Sequence, residues 1–109
     1  MHFQKMVEAA LEIKDKYDKE NRLVGYDQWG AAEYMQGLAG DIGDLAKLIM
    51  AKNNLRHNDD VDTKISHELS DCLWSLICIA YELHIDLEQA FMQTMEELSQ
   101  KLDLESMAP

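Results

Sequence analysis

Two carboxylate pairs carry the chemistry legible in this chain: Asp41-x-x-Asp44 within GDIGDLAKLIMAK, and Glu68-x-x-Asp71 within HELSDCLWSLICIAYEL, with 23 residues between Asp44 and Glu68. On a helix, residues three apart lie about 60° apart around the axis and about one turn along it, so each pair aims two carboxylates the same way. Two such helices packed face to face would gather four acids. Four acids share a small volume only when a cation neutralises them, and an all-oxygen donor set selects a hard ion, Mg²⁺ with Mn²⁺ as a substitute, over zinc. A di-iron site of the ferritin type would also use helical carboxylates, but it needs Glu-x-x-His pairs, and the chain has none.

Acidic pairs three apart also occur as ordinary solvated helix faces, so their surroundings decide. Asp71 is the only charge in the run DCLWSLICIAY. A carboxylate so placed is expected to be partly buried, and an unpaired buried carboxylate costs several kcal/mol or is forced to protonate, which calls for a cation or a strong donor nearby. Asp41 and Asp44 lie beside an apolar seam and among Gly37, Gly40 and Gly43. Each glycine costs a helix about 1 kcal/mol relative to alanine, a penalty that suits close approach of another helix or a ligand, or else marks a loosely packed interface.

The elements that must position these acids read as four helices. The first spans about His2 to Asn21, with Phe3, Met6, Val7, Ala10, Leu11 and Ile13 on its apolar side. The segment NRLVGYDQWG breaks the periodicity with Gly25 and Gly30. A second helix follows from about Ala31 to Lys52, where Met35, Leu38, Ile42, Leu45 and Ile49 suggest a narrow packing seam. NNLRHNDDVD reads as a mobile loop. The third helix is expected from about Thr63 to Leu83 with Ile65, Leu69, Leu73, Leu76, Ala80 and Leu83 in one stripe; further apolar residues spread round it and mark it as the central helix. Asp86 is placed to cap a fourth helix from about Leu87 to Leu102, and residues 104–109 read as a fraying tail.

An all-α, four-helix bundle-like fold in a single domain, residues 1–109, therefore follows. Only five glycines and one proline interrupt a chain of 47% hydrophobic and 28% charged residues. The net charge of −11 opposes binding to nucleic acid polymers and anionic membranes, although a small phosphorylated substrate stays accessible through a bound cation. No segment has the apolar length of a membrane span, and MHFQKMVEAALEIKDKY lacks the pattern of a secretory signal, so the expected location is the cytoplasm. Cys72 and Cys78 lie about 120° apart on one helix and read as packing residues in a reducing compartment. His57, His67 and His84 have no evident ligand partners and read as surface or capping residues. Small size and the broad apolar coverage of the third helix point to self-association.

GDIGDLAKLI followed by HELSDCLWSLICIAYELHIDLEQAF resembles the MazG-like all-α nucleoside triphosphate pyrophosphohydrolases, over roughly Tyr26 to Lys101. The family pattern is E-x-x-E, a spacer, then E-x-x-D; here the first half reads Asp41-x-x-Asp44, each side chain one methylene shorter. The resemblance implies Mg²⁺-dependent hydrolysis of a nucleoside or deoxynucleoside triphosphate to the monophosphate and pyrophosphate, a housecleaning role, and a homodimer or homotetramer. It assigns Asp41, Asp44, Glu68 and Asp71 to metal binding and catalysis, with a carboxylate of the first pair a candidate to orient the attacking water. The base and sugar would sit between helices. Trp29, Tyr34 and Trp74 are candidates for that pocket, although Trp29 would also serve as a lid on the bundle end and Trp74 as core. Lys47, one turn beyond Asp44, could reach phosphate or remain solvated. Many relatives carry Lys and Asn on the last helix near the substrate; Thr94 and Leu98 stand there in this chain. The alternative is a catalytically weakened bundle that binds a nucleotide or a protein partner.

Overall fold

The computed structural model describes residues 2–53 and 59–107. It contains α1 (His2–Leu23), α2 (Ala31–Asn53), α3 (Asp59–Glu82) and α4 (Leu87–Ser106), and no strand among the described residues. Two Schellman turns end helices. At the end of α1, Gly25 takes φ +82°, its N–H donates to Arg22 O, and Tyr26 N–H reaches back to Asn21 O. At the end of α3 the left-handed position falls to His84, φ 57°, with His84 N–H on Tyr81 O and Ile85 N–H on Ala80 O, which makes His84 a capping residue. Asp86 Oδ1 then accepts from Gln89 N–H at 3.1 Å and starts α4 as expected.

Helix α3 is the central element, packed against both α2 and α1. It begins at Asp59 rather than near Thr63, because Asp59 to Asp62 join the helix. Asn53 of the expected mobile loop ends α2, and residues 54–58, His57 among them, lie outside the described residues. Helix α4 runs on to Ser106, past the point where fraying was expected, and Pro109 is not among the described residues.

The packing seam differs from the expected one. On α2 the core side is Tyr34, Leu38, Asp41, Leu45 and Leu48, whereas Met35, Ile42 and Ile49 face outward. On α3 the matching series is Val61, Ile65, Glu68, Cys72, Ser75, Ile79 and Glu82, with Leu69, Leu76 and Leu83 exposed. Both seams step by alternating fours and threes, the spacing of interlocking helices. Leu38 and Leu45 of the expected α2 stripe and Ile65, Leu73 and Ala80 of the expected α3 stripe do face inward, but the seam between them carries Asp41, Glu68 and Ser75, polar residues that a search for continuous apolar stripes passes over. Helix α1 is similar: the stripe Phe3, Val7, Ala10 continues as Lys14, Asp18 and Asn21, while Met6 and Ile13 are exposed.

Beyond its first turn α4 is exposed along its length, Phe91, Met95, Leu98 and Leu102 included. The close-approach reading of the α2 glycines fails within the chain: a Cβ on Gly37, Gly40 or Gly43 would meet nothing within 4 Å.

Candidate metal centre and adjoining cleft

The α2 and α3 seams run antiparallel, so Asp41, midway along α2, meets Glu68 on α3, and Asp44 follows one turn later. One carboxylate oxygen from each of Asp41, Asp44 and Glu68 lies within 4.8 Å of the others. Asp41 and Glu68 are half-buried and Asp44 is exposed, so the group opens at the protein surface. Burial pushes the Asp41 carboxyl above its ordinary range, reinforced by the charges of Asp71 and Asp44 and opposed by His67. Glu68 is raised in the same way, by burial and then by Asp41, Asp44 and Asp71. Glu68 Oε2 is buried and has no hydrogen-bond partner. A buried oxygen without a donor, held among other carboxylates, would be satisfied by a hard divalent cation or, in its absence, by a proton.

Asp71 stands beside this trio and outside it. Its side chain is 42% exposed, and its Oδ2 lies 3.2 Å from His67 Nε2 one turn earlier on α3. His67 is thus a surface residue, as its sequence context suggested, but it has an acidic partner that the sequence reading missed. The signal was present as His67-x-x-x-Asp71, the spacing of neighbours on one helix face.

A cleft of about 690 Å³ adjoins the acids, within the range of small-molecule sites. Asp41, Ser70 and Asp71 line it, so the acidic residues form part of its wall. Its apolar wall is a chain of rings. Trp29 meets Tyr34 edge-on at 5.5 Å, Tyr34 meets Trp74 edge-on at 5.5 Å, and Tyr17 of α1 lies 5.8 Å from Trp74. All four line the cleft, together with Ile13, Glu20 and Asn21 of α1. Trp74 is half-buried rather than fully enclosed, and its indole N–H donates to Ala10 O at 3.0 Å, which ties α3 to α1. Tyr34 is wholly enclosed, and burial pushes its phenol up to about 12. Lys47 is exposed and does not line the cleft. Thr94 and Leu98 are exposed on α4 and are not part of the lining either.

Sequence reasoning passed over α1 as a contributor. Its buried polar residues are Lys14 and Asp18. Lys14 Nζ lies 3.0 Å from Asp18 Oδ2 and 2.8 Å from Glu82 Oε1, and it sits over the rings of Tyr34 and Tyr81 at 5.6 and 5.5 Å. Burial works against the ammonium charge, but Glu82 and Asp18 outweigh it and hold its pKa above the ordinary lysine range. Continuing the Phe3, Val7, Ala10 stripe would have found this cluster.

Cys72 and Cys78 are free thiols, and burial pushes Cys78 up to about 12, which leaves it neutral. No described helix is long and apolar enough to cross a membrane. The model of the MazG nucleotide pyrophosphohydrolase domain matches residues 30–103, which include both acidic pairs, Tyr34 and Trp74; Trp29 and α1 fall outside it. A search of curated proteins gives no match.

Proposed function

Since the chain belongs to the MazG nucleotide pyrophosphohydrolase domain family, we propose that it hydrolyses nucleoside or deoxynucleoside triphosphates between the α- and β-phosphates, releasing the monophosphate and pyrophosphate. The observation that carries this reading is the contiguity of two features: three carboxylates within 4.8 Å of one another, and an aromatic cleft that shares Asp41 with them. Asp41, Asp44 and Glu68 would hold Mg²⁺, with Asp71 beside them as a further candidate ligand and Mn²⁺ as a workable substitute. The bound cation supplies neutralisation of phosphate oxygens and of the departing pyrophosphate.

The chain's own residues do the rest. Rings of Tyr17, Trp29 and Trp74, backed by the enclosed Tyr34, bury the base and orient the nucleotide, so that the α-phosphate lies at the acidic end. Asp41, the member of the trio that also lines the cleft, accepts a hydrogen bond from the attacking water and takes its proton as the oxygen bonds to the α-phosphorus. The bond from that phosphorus to the bridging oxygen breaks, and pyrophosphate leaves. Removal of surplus or noncanonical nucleotides in the cytoplasm is the role consistent with this chemistry.

The same reading includes a homodimer or homotetramer. Met35, Ile42 and Ile49 on α2, and Leu69, Leu76 and Leu83 on α3, repeat every seven residues on outward faces, and α4 exposes Phe91, Met95, Leu98 and Leu102. A second copy covering these stripes would complete the bundle.

A second reading, nucleotide binding without turnover, has one observation in its favour: Asp71 pairs with His67 and stands outside the trio. A pyrophosphate-release assay with Mg²⁺ and a panel of triphosphates separates the two. Release by the native chain that is lost in Asp71→Asn supports catalysis; nucleotide binding with no release supports the second reading.

A further inference from the structure

Lys14 is 4% exposed, inside a protein whose charged residues otherwise lie mainly at the surface. Stability is a poor explanation for it, because a buried ion pair is commonly no better than apolar residues of the same volume. Such a cluster can instead fix one arrangement of the elements it joins, since the ammonium must meet its acceptors in a single geometry.

Those elements are the walls of the cleft. Lys14 stands on α1 between Ile13 and Tyr17, both in the lining. Its ammonium forms an ion pair with Glu82 Oε1 at the end of α3, a charge contact at 2.8 Å outside hydrogen-bond geometry, and lies against the face of Tyr34 from α2. Its other partner, Asp18, accepts from Gln28 Nε2 at 3.3 Å through the same Oδ2 that faces Lys14. Gln28 directly precedes Trp29 in the segment between α1 and α2. Asp18 Oδ1 is buried with no partner, so the described contacts of this carboxylate run through Oδ2 alone. One cation thereby connects all three packed helices and the segment that delivers Trp29.

We propose that Lys14, through Asp18 and Glu82, is a positioning residue that preassembles the aromatic wall formed by Tyr17, Trp29, Tyr34 and Trp74, and so governs nucleotide affinity without taking part in the phosphoryl chemistry. The proposal rests on the nucleotide reading above. Lys14 lines neither the cleft nor the acidic trio, so its removal acts on binding through the rings.

The test compares Lys14→Met and Lys14→Arg with the native chain in kcat, KM for the Mg²⁺ triphosphate, and near-ultraviolet circular dichroism, with far-ultraviolet dichroism to establish folding. In Lys14→Met, KM rises about tenfold, kcat stays within about twofold and the aromatic signal diminishes; Lys14→Arg, which keeps the charge, recovers most of both. A folded Lys14→Met with unchanged KM and unchanged aromatic signal overturns the proposal, as does a fall in kcat at constant KM. If Lys14→Met does not fold, Gln28→Ala decides, since Gln28 is exposed and the substitution removes only its link to Asp18. KM rising about threefold there supports the assignment, and no change in KM or aromatic signal defeats it. Should the native chain turn over no triphosphate, the nucleotide reading fails separately, and the dichroism alone decides whether Lys14 orders the rings.

Discussion

Asp41 and Glu68 face each other across the α2–α3 seam with carboxylate oxygens no more than 4.8 Å apart, and burial together with neighbouring carboxylates raises the pKa of both. Helix packing alone would place apolar side chains there. The fold therefore carries a local penalty at neutral pH that a bound cation would relieve.

This penalty sets the sign of the pH dependence. A carboxyl whose folded pKa lies above its unfolded value binds its proton more tightly in the folded state. Asp41 and Glu68 thus contribute stability as pH falls through their raised values, and the contribution is complete below the ordinary values of 3.8 and 4.5. In EDTA, Tm is expected to rise as pH is lowered from neutral toward the ordinary carboxyl values, and Asp41→Asn to flatten that slope. Asp44, Asp71 and His67 are the other ionisable groups acting on the pair. Mg²⁺ at a hundred times its Kd adds about 2.7 kcal/mol at pH 7. A Tm indifferent to both pH and Mg²⁺ would contradict the metal assignment; differential scanning calorimetry reads both effects.

The Asp71 side chain is half-exposed and pairs with His67 on its own helix face. Asp71→Asn is expected to lower kcat by about a hundredfold or more while changing folding stability by less than about 1 kcal/mol. Steady-state kinetics beside urea unfolding provide the comparison. His67→Ala, which removes the Asp71 partner, leaves the fold intact by the same measure.

The acidic pairs and the four helices were legible because each is a local pattern: a three-residue spacing, a capping Asp86, a glycine at the end of α1. Which face of each helix packs inward was legible only in part: Val7 and Ala10, Leu38 and Leu45, and Ile65 and Ala80 do face the core, while their stripe-mates Met6, Ile42 and Leu69 do not. On α3 the core side includes the apolar Val61, Ile77, Cys78 and Ala80 but also Glu68 and Ser75, whereas Leu69, Leu76 and Leu83 are exposed, so apolar content alone mixes the two faces. The reason is that the seam is interrupted by acidic and polar residues while apolar residues remain on the outward face. Lys14 was missed for a related reason. A lysine on a helix reads as solvated unless Glu82, which is 68 residues away, is already known to stand beside it.

The Lys14 cluster also yields a stability prediction. Lys14→Met leaves Asp18 and Glu82 without their cation, at a cost of about 3–5 kcal/mol. The triple change Lys14→Met, Asp18→Leu, Glu82→Leu removes all three charges and is expected to recover most of that loss. Urea denaturation of both variants against the native chain measures it, and a triple variant no more stable than Lys14→Met would show that shape, not charge balance, governs the site.

Self-association has its own signature. Light scattering at micromolar concentration is expected to give the mass of a dimer or tetramer, and Leu76→Glu or Phe91→Glu to shift it toward the monomer with helix content retained. A native chain that stays monomeric would leave the outward stripes unexplained and count against the oligomer.

The most direct test of the central claim is phosphorus NMR of the native chain with Mg²⁺ and a triphosphate in ¹⁸O-labelled water. Attack at the α-phosphorus predicts unlabelled pyrophosphate and a monophosphate carrying the ¹⁸O. Nucleoside diphosphate with labelled inorganic phosphate, or no turnover by a folded protein that binds Mg²⁺, would contradict it.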